Sequence, residues 1–183
     1  IDTGVESSAN DITPFRAIMN DMYAKDISKK IKSVKRDKQR KGQFIGGKPM
    51  YGYKMHPTEK NKIVIDEEVA PVVRRIFAMA LDGMSCRKIA ATLNEEHVPT
   101  PATYCGWNMG RKGPYAGLWS SERISEMLQN ETYIGNMVQG RQVKISYKSK
   151  KCLHQERENW VVVENTHEPL IDAESFRKVR MLV

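Results

Sequence analysis

The residues in this chain best suited to chemistry are cations. Nine of its 30 lysines and arginines fall between positions 25 and 41: Lys25, Lys29, Lys30, Lys32, Lys35, Arg36, Lys38, Arg40 and Lys41. Only Asp26 and Asp37 oppose them there, and the remaining 21 basic and 20 acidic residues nearly cancel, so almost all of the net charge of +8 sits in one short segment. A positive potential concentrated in this way attracts a polyanion, whereas a merely solvated helix face usually mixes both signs. Nucleophiles are less well placed. Ser7 and Ser8 lie in a loop with Gly4, Asn10 and Asp11 and have no basic neighbour to activate them. Cys86, Cys105 and Cys152 are widely spaced and contain no Cys-x-x-Cys pair. A metal site would need the fold to gather them with His56, His97, His154 or His167, and ordinary thiols of a reducing compartment are the simpler reading.

The cations need an element to carry them. Thr13 can act as N-cap with Pro14 at the first helical position, and Phe15, Ile18, Met19, Met22, Tyr23, Ile27, Ile31 and Val34 then recur at helical spacing. After Val34 the apolar stripe stops, the segment from Lys35 to Lys41 is wholly polar, and Gly42 supplies a stop. A helix from Pro14 to Lys41 is about 40 Å long. Its first two thirds need an apolar partner and its last third offers cations to phosphate. A basic amphipathic helix can instead lie on an anionic membrane; that fits less well, because charge and stripe occupy successive lengths and only partly share the same turns. No run approaches the roughly 18 apolar residues of a membrane span, and Ile1 to Gly4 is not a signal peptide. With the free thiols, this points to a cytoplasmic protein without membrane partners. The chain starts without Met and stops within an apparent helix carrying Phe176, Val179 and Val183, which reads as a piece of something longer.

Beyond Gly42, the glycines and proline up to Pro49 read as a linker. Tyr51 to Met55 and Lys62 to Ile65 suggest a short hairpin turning through His56 to Asn61. Asp66, Glu67 and Glu68 place acids at a helix start, with Val69, Val72, Val73, Ile76, Phe77, Ala80 and Leu81 as its apolar stripe and Gly83 as its end. Ser85 caps a second helix holding Ile89, Ala90 and Leu93, followed by an extended Val98 to Pro101. Ser120 starts a third, in which Trp119 staples onto Ile124 ahead of Met127 and Leu128. Tyr133 to Val138 and Asn159 to Val163 read as strands, with a mobile basic run from Arg141 to Lys151 between them. In the loop before the third helix, Arg111 and Lys112 among glycines and aromatics suit a phosphate backbone or groove, and suit an ordinary surface loop equally. The fold class is α+β, mainly helical: a long N-terminal helix, then a helix-turn-helix-like unit with small β-hairpins. Such a unit is weak evidence for DNA binding by itself, so a non-enzymatic helix-turn-helix regulator stays open. An RNA-binding protein is less favoured, because no RRM-type aromatic signature or KH loop is present.

Taken in order, the motifs resemble the large serine recombinases, the resolvase and invertase relatives that include phage integrases and recombinases of transposons and conjugative transposons. Ile1 to Gly4 and the long helix look like the end of the catalytic domain with its oligomerisation helix. Gly46 to Tyr53 (GGKPMYGY) looks like the linker into the recombinase domain. Ile65 to Glu68, Arg75 to Phe77, Gly83 to Ser85, Ile89 to Asn94, Pro99 to Pro101, Trp119 with Ser120, Ile124 with Met127 and Leu128, and Asn130 to Gly135 fall where that domain's pattern places them. His167 to Asp172 resembles the lead into a C-terminal zinc ribbon, whose paired cysteines are absent here.

The resemblance implies a parent enzyme that cuts both DNA strands through a phosphoserine link, exchanges partners in a tetramer and reseals, without a nucleotide or metal cofactor in the chemistry. It implies a nucleophile upstream of Ile1, zinc only in a downstream ribbon, and an isolated chain without activity. It divides the chain into the catalytic-domain end and long helix (1–41), a linker (42–50) and the DNA-binding recombinase domain (51–183). Partners would be double-stranded DNA at recombination sites and further copies of the parent, as a dimer on DNA and a tetramer in synapsis. Phe15, Ile18, Met22 and Ile27 would then form the oligomer interface. Lys35, Arg36, Lys38, Arg40 and Lys41 would hold phosphates, with Gln43 to Lys48 following a minor groove. Ser120, Ser121 and Arg123, at the start of the third helix, are candidates for base edges, as are Arg111 and Lys112. The bland alternative is that the serines cap the helix and Arg123 faces solvent.

Overall fold

The computed structural model describes residues 12–106 and 116–182. The first element, α1 (Thr13–Arg40), is the expected long helix, and none of its residues is buried. Thr13 is not its cap: it is already helical, because the Ile12 carbonyl accepts the Arg16 N–H at 2.9 Å, and no side chain caps this end. The other end closes as expected. Gly42 takes φ +68°, its N–H donates to Gln39 O at 2.9 Å and the Gln43 N–H to Lys38 O at 3.0 Å, the paired bonds of a Schellman motif.

A hairpin follows, β1 (Tyr53–Met55) antiparallel to β2 (Ile63–Ile65), with Tyr53 opposite Ile65. Next comes α2 (Ala70–Leu81), with Pro71 in its first turn and Gly83 (φ +81°) just past its end. The acids 66–68 lie ahead of the helix; the Asp66 carbonyl accepts the Val69 and Ala70 N–H groups. Ser85 and Ser120 cap α3 (Cys86–Glu95) and α5 (Ser121–Leu128) as read, their Oγ atoms accepting the Lys88 and Arg123 N–H groups. The stretch read as extended through Pro101 is different. Thr100 caps a one-turn helix, α4 (Pro101–Tyr104), by accepting the Thr103 N–H at 3.3 Å. Trp119 is buried with Ile124, but it is fixed to the end of α3: its N–H donates to Asn94 Oδ1, its carbonyl accepts from Asn94 Nδ2, and its indole donates to Val98 O.

The last third differs more from expectation. Glu131–Ile134 is a 3-10 turn, and the strand begins only at β3 (Met137–Gln139). Residues 157–159 form another such turn ahead of β6 (Val161–Val163), which pairs antiparallel with β3. The basic run from Arg141 to Lys151 includes β4 (Gln142–Lys144), which pairs with β5 (Cys152–His154) just beyond it, nested beyond β3 and β6. The four strands make one long two-stranded ribbon interrupted at Gly140. Asp172 caps the final helix, α6 (Ala173–Leu182), by accepting the Ser175 N–H.

One core joins these elements. Val73, Ile76 and Phe77 of α2, Ile89 and Leu93 of α3, Ile124 and Leu128 of α5, Phe176 and Val179 of α6, and Tyr133 are all buried. α2 packs on α6 and α3 on α5. Inside it the Tyr133 hydroxyl donates to Tyr51 O, and the Tyr53 hydroxyl accepts the Leu170 N–H and donates to Glu168 O. Burial pushes the Tyr51 and Tyr53 phenols up to about 12, so both stay neutral donors. The result is α+β and mainly helical, with no helix among the described residues long and apolar enough to cross a membrane.

Candidate nucleic-acid interface

The cationic end of α1 is free on its outer side and tethered on its inner side. Lys35, Arg36, Arg40 and Lys41 are exposed, while Lys38 is half-buried. Immediately after the helix the chain docks. Gln139 of β3 brackets it, its Oε1 accepting the Ile45 N–H at 3.1 Å and its Nε2 donating to the Gln43 carbonyl at 2.8 Å. The Phe44 N–H donates to Asn61 O at 2.8 Å, and Phe44 and Met50 pack on the core. The segment read as a linker, 42–50, is thus held against the domain at Gln43, Phe44, Ile45 and Met50. Lys48 Nζ reaches the Cys105 carbonyl at 3.1 Å, which ties it to the end of α4.

A second tether lies far up the helix. Asp21 Oδ1 accepts from the Tyr147 hydroxyl at 2.6 Å and pairs with Lys148 Nζ at 2.5 Å, both from the tip of the ribbon. The Lys148 and Tyr147 bonds hold the Asp21 carboxyl below the usual range, and Asp21 in return raises the pKa of both partners. At 3.6 residues per turn, Asp21, Ser28 and Gln39 project within about 20° of each other, so the ribbon touches the polar side of α1. Away from that line of contact, Phe15, Ile18, Met22, Ile27, Ile31 and Val34 remain 51–63% exposed.

The start of α5 is built less openly. Ser120 Oγ is engaged as cap, Ser121 Oγ bonds Glu122 at 3.3 Å, and the exposed Arg123 pairs with Glu126 at 3.0 Å. Glu122 is held below its ordinary range by its own backbone N–H first, and then by Ser120 and Ser121. These residues are accessible, but each already has a partner, and Glu122 puts a negative charge beside them. Arg111 and Lys112 lie outside the described residues.

A family model described as Recombinase matches residues 67–183. The chain belongs to that family. The recombinase match takes in α2 to α6 and the whole ribbon, whereas α1 and β1–β2 precede it. Two solved structures share the fold. One, concerned with the sequence requirements of the Listeria innocua prophage attP site, is 21% identical, with a TM-score of 0.51 over 84% of this chain and 50% of the other. The second, a crystal structure of an LSR–DNA complex, is 19% identical, with a TM-score of 0.53 over 84% of this chain and 37% of the other. YefB of Bacillus subtilis (strain 168), an uncharacterised protein, is 31% identical over 75 residues, 41% of this chain and 25% of that protein. The recombinase chain thus spans a quarter of that relative and at most half of these solved chains.

Sequence reasoning missed two positioning residues of this recombinase, Gln139 and Tyr147. Gln139 has no local signature, since its partners lie 94 and 96 residues away. Tyr147 sits in a basic run, and its aromatic character was the one available hint.

Proposed function

We propose that this chain is the DNA-binding portion of a site-specific serine recombinase acting at the ends of a mobile element. The observation that carries this reading is the exposed cationic end of α1, fastened by Gln139 to a domain of the Recombinase family. On this reading Lys35, Arg36, Lys38, Arg40 and Lys41 neutralise phosphates and residues 43–48 follow the adjacent minor groove. The front of α5, with Ser120, Ser121 and Arg123, faces base edges once Arg123 exchanges Glu126 for DNA. Arg111 and Lys112, outside the described residues, add further DNA contacts on this reading. The apolar side of α1, with Phe15, Ile18, Met22 and Ile27, pairs copies of the parent, as a dimer on each site and a tetramer in synapsis. The parent's serine nucleophile lies outside residues 1–183, so this chain neither cleaves nor rejoins DNA, and it needs no metal or other cofactor to bind.

Fluorescence anisotropy across a salt series tests this, with duplexes from the ends of the chain's own mobile element against scrambled duplexes. The expected result is preferential binding, with log affinity falling against log salt with a slope of roughly 4 to 6, for about five to seven phosphates. No binding at low salt overturns the assignment, and equal binding to both duplexes removes the role of α5.

A further inference from the structure

The ribbon of β3 to β6 carries a second concentration of charge that the reading above does not use. From Gly140 to Gln155 there is no carboxylate, while Arg141, Lys144, Lys148, Lys150 and Lys151 supply five cations. Lys144, Lys150 and Lys151 are exposed and form no ion pair among the described residues. The ribbon's base is fixed beside the cationic end of α1 by Gln139, and its tip is fixed at Asp21. It therefore runs back along the same helix that carries Lys25, Lys29, Lys32 and Lys35. Two positive elements held side by side repel each other, and Asp21 neutralises only the tip. A strand of phosphates passing along both would remove that repulsion.

We propose that the ribbon, through Lys144, Lys150 and Lys151, is a further contact to the phosphate backbone of the duplex held by α1. This rests on the DNA-binding reading above and adds a surface to it. Duplex DNA is the occupant because the ribbon base touches Gln43 and Ile45, which places it next to the Lys38, Arg40 and Lys41 that engage a duplex on the reading above. The contact is to backbone and not to bases, since ammonium groups on an exposed ribbon select charge and not sequence. It adds affinity and salt dependence equally on every sequence.

The test uses the whole chain with a random-sequence duplex of about 30 base pairs, comparing wild type with the triple variant Lys144→Ala, Lys150→Ala, Lys151→Ala; the slope of log affinity on log salt should fall by about 2 to 3. The triple Lys→Arg variant at these positions should keep the wild-type slope. Lys148 is left in place so that the tie to Asp21 survives. An independent reading comes from Cys152, an exposed free thiol on β5. A photo-crosslinker attached there should capture the duplex, with Cys152→Ser giving the background. Wild type that binds, combined with an unchanged slope in the alanine variant or no crosslink above background, overturns the ribbon contact and leaves the DNA-binding reading standing. Wild type that does not bind the duplex at all overturns both.

Discussion

His167 shows how a single side chain ties the late segments to the core. Its Nε2 lies 2.8 Å from the Thr132 carbonyl and its Nδ1 2.8 Å from Thr166 Oγ1. The carbonyl accepts the Nε2 proton, so the neutral ring can accept the Thr166 hydroxyl at Nδ1. Its ring stands edge-on to Tyr53 at 4.9 Å. Burial lowers its pKa, with the Thr132 bond opposing. The unfolded chain therefore takes up a proton first as pH falls. The stability this contributes is fully present above the unfolded value of about 6.5 and is lost as the pH falls from there through the lower folded value. Urea unfolding of wild type and His167→Gln between about pH 7.5 and about pH 5.5 measures this. The variant should show a flatter dependence, and identical curves would remove His167 as the cause.

At the scale of elements, signals confined to one turn were legible in the sequence. Ser85, Ser120, Gly42 and Gly83 mark helix ends because a cap or a left-handed residue acts within a few positions of itself. Thr100 before Pro101 is the same kind of signal, overlooked because Val98 to Pro101 also suits an extended chain. Of the ribbon, β3 and β6 were legible as strands, with wider bounds than they have, but β4, β5 and the pairing of all four were not. Its strands are three residues each, too short for alternation to show, and each depends on a partner across the hairpin. In the candidate interface the cations could be read directly, but their fastening could not, because Asp21 and Tyr147 are 126 residues apart. The joint at Gly42 is testable. An alanine there is disfavoured at φ +68° by about 1–2 kcal/mol, and its Cβ would lie 2.5 Å from Thr166 Cγ2. Gly42→Ala should release the end of α1, speed hydrogen exchange at the Gln43 amide, and weaken duplex binding about fivefold to thirtyfold. Unchanged exchange at Gln43 would show that the joint absorbs the extra carbon.

For the whole molecule, the long helix lies outside the hydrophobic core. No α1 residue is buried, whereas α2, α3, α5 and α6 share one cluster. Residues 42–183 alone should therefore unfold within about 2 °C of the full chain while losing most of the salt dependence of duplex binding. Calorimetry and anisotropy check the two halves of this. A large drop in the midpoint would place α1 inside the cooperative unit.

The attachment of α1 at two separated points makes it a braced strut. Were it held at Gly42 alone, a tilt of about 10° would sweep the far end of a roughly 42 Å helix through about 7 Å. The tie at Asp21 lies about 30 Å from that joint and shortens the unsupported length to little more than two turns. The first turns of α1 are thereby held at a set angle to the domain that follows Gly42, and cutting the Asp21 tie would loosen that aim without touching a single core contact.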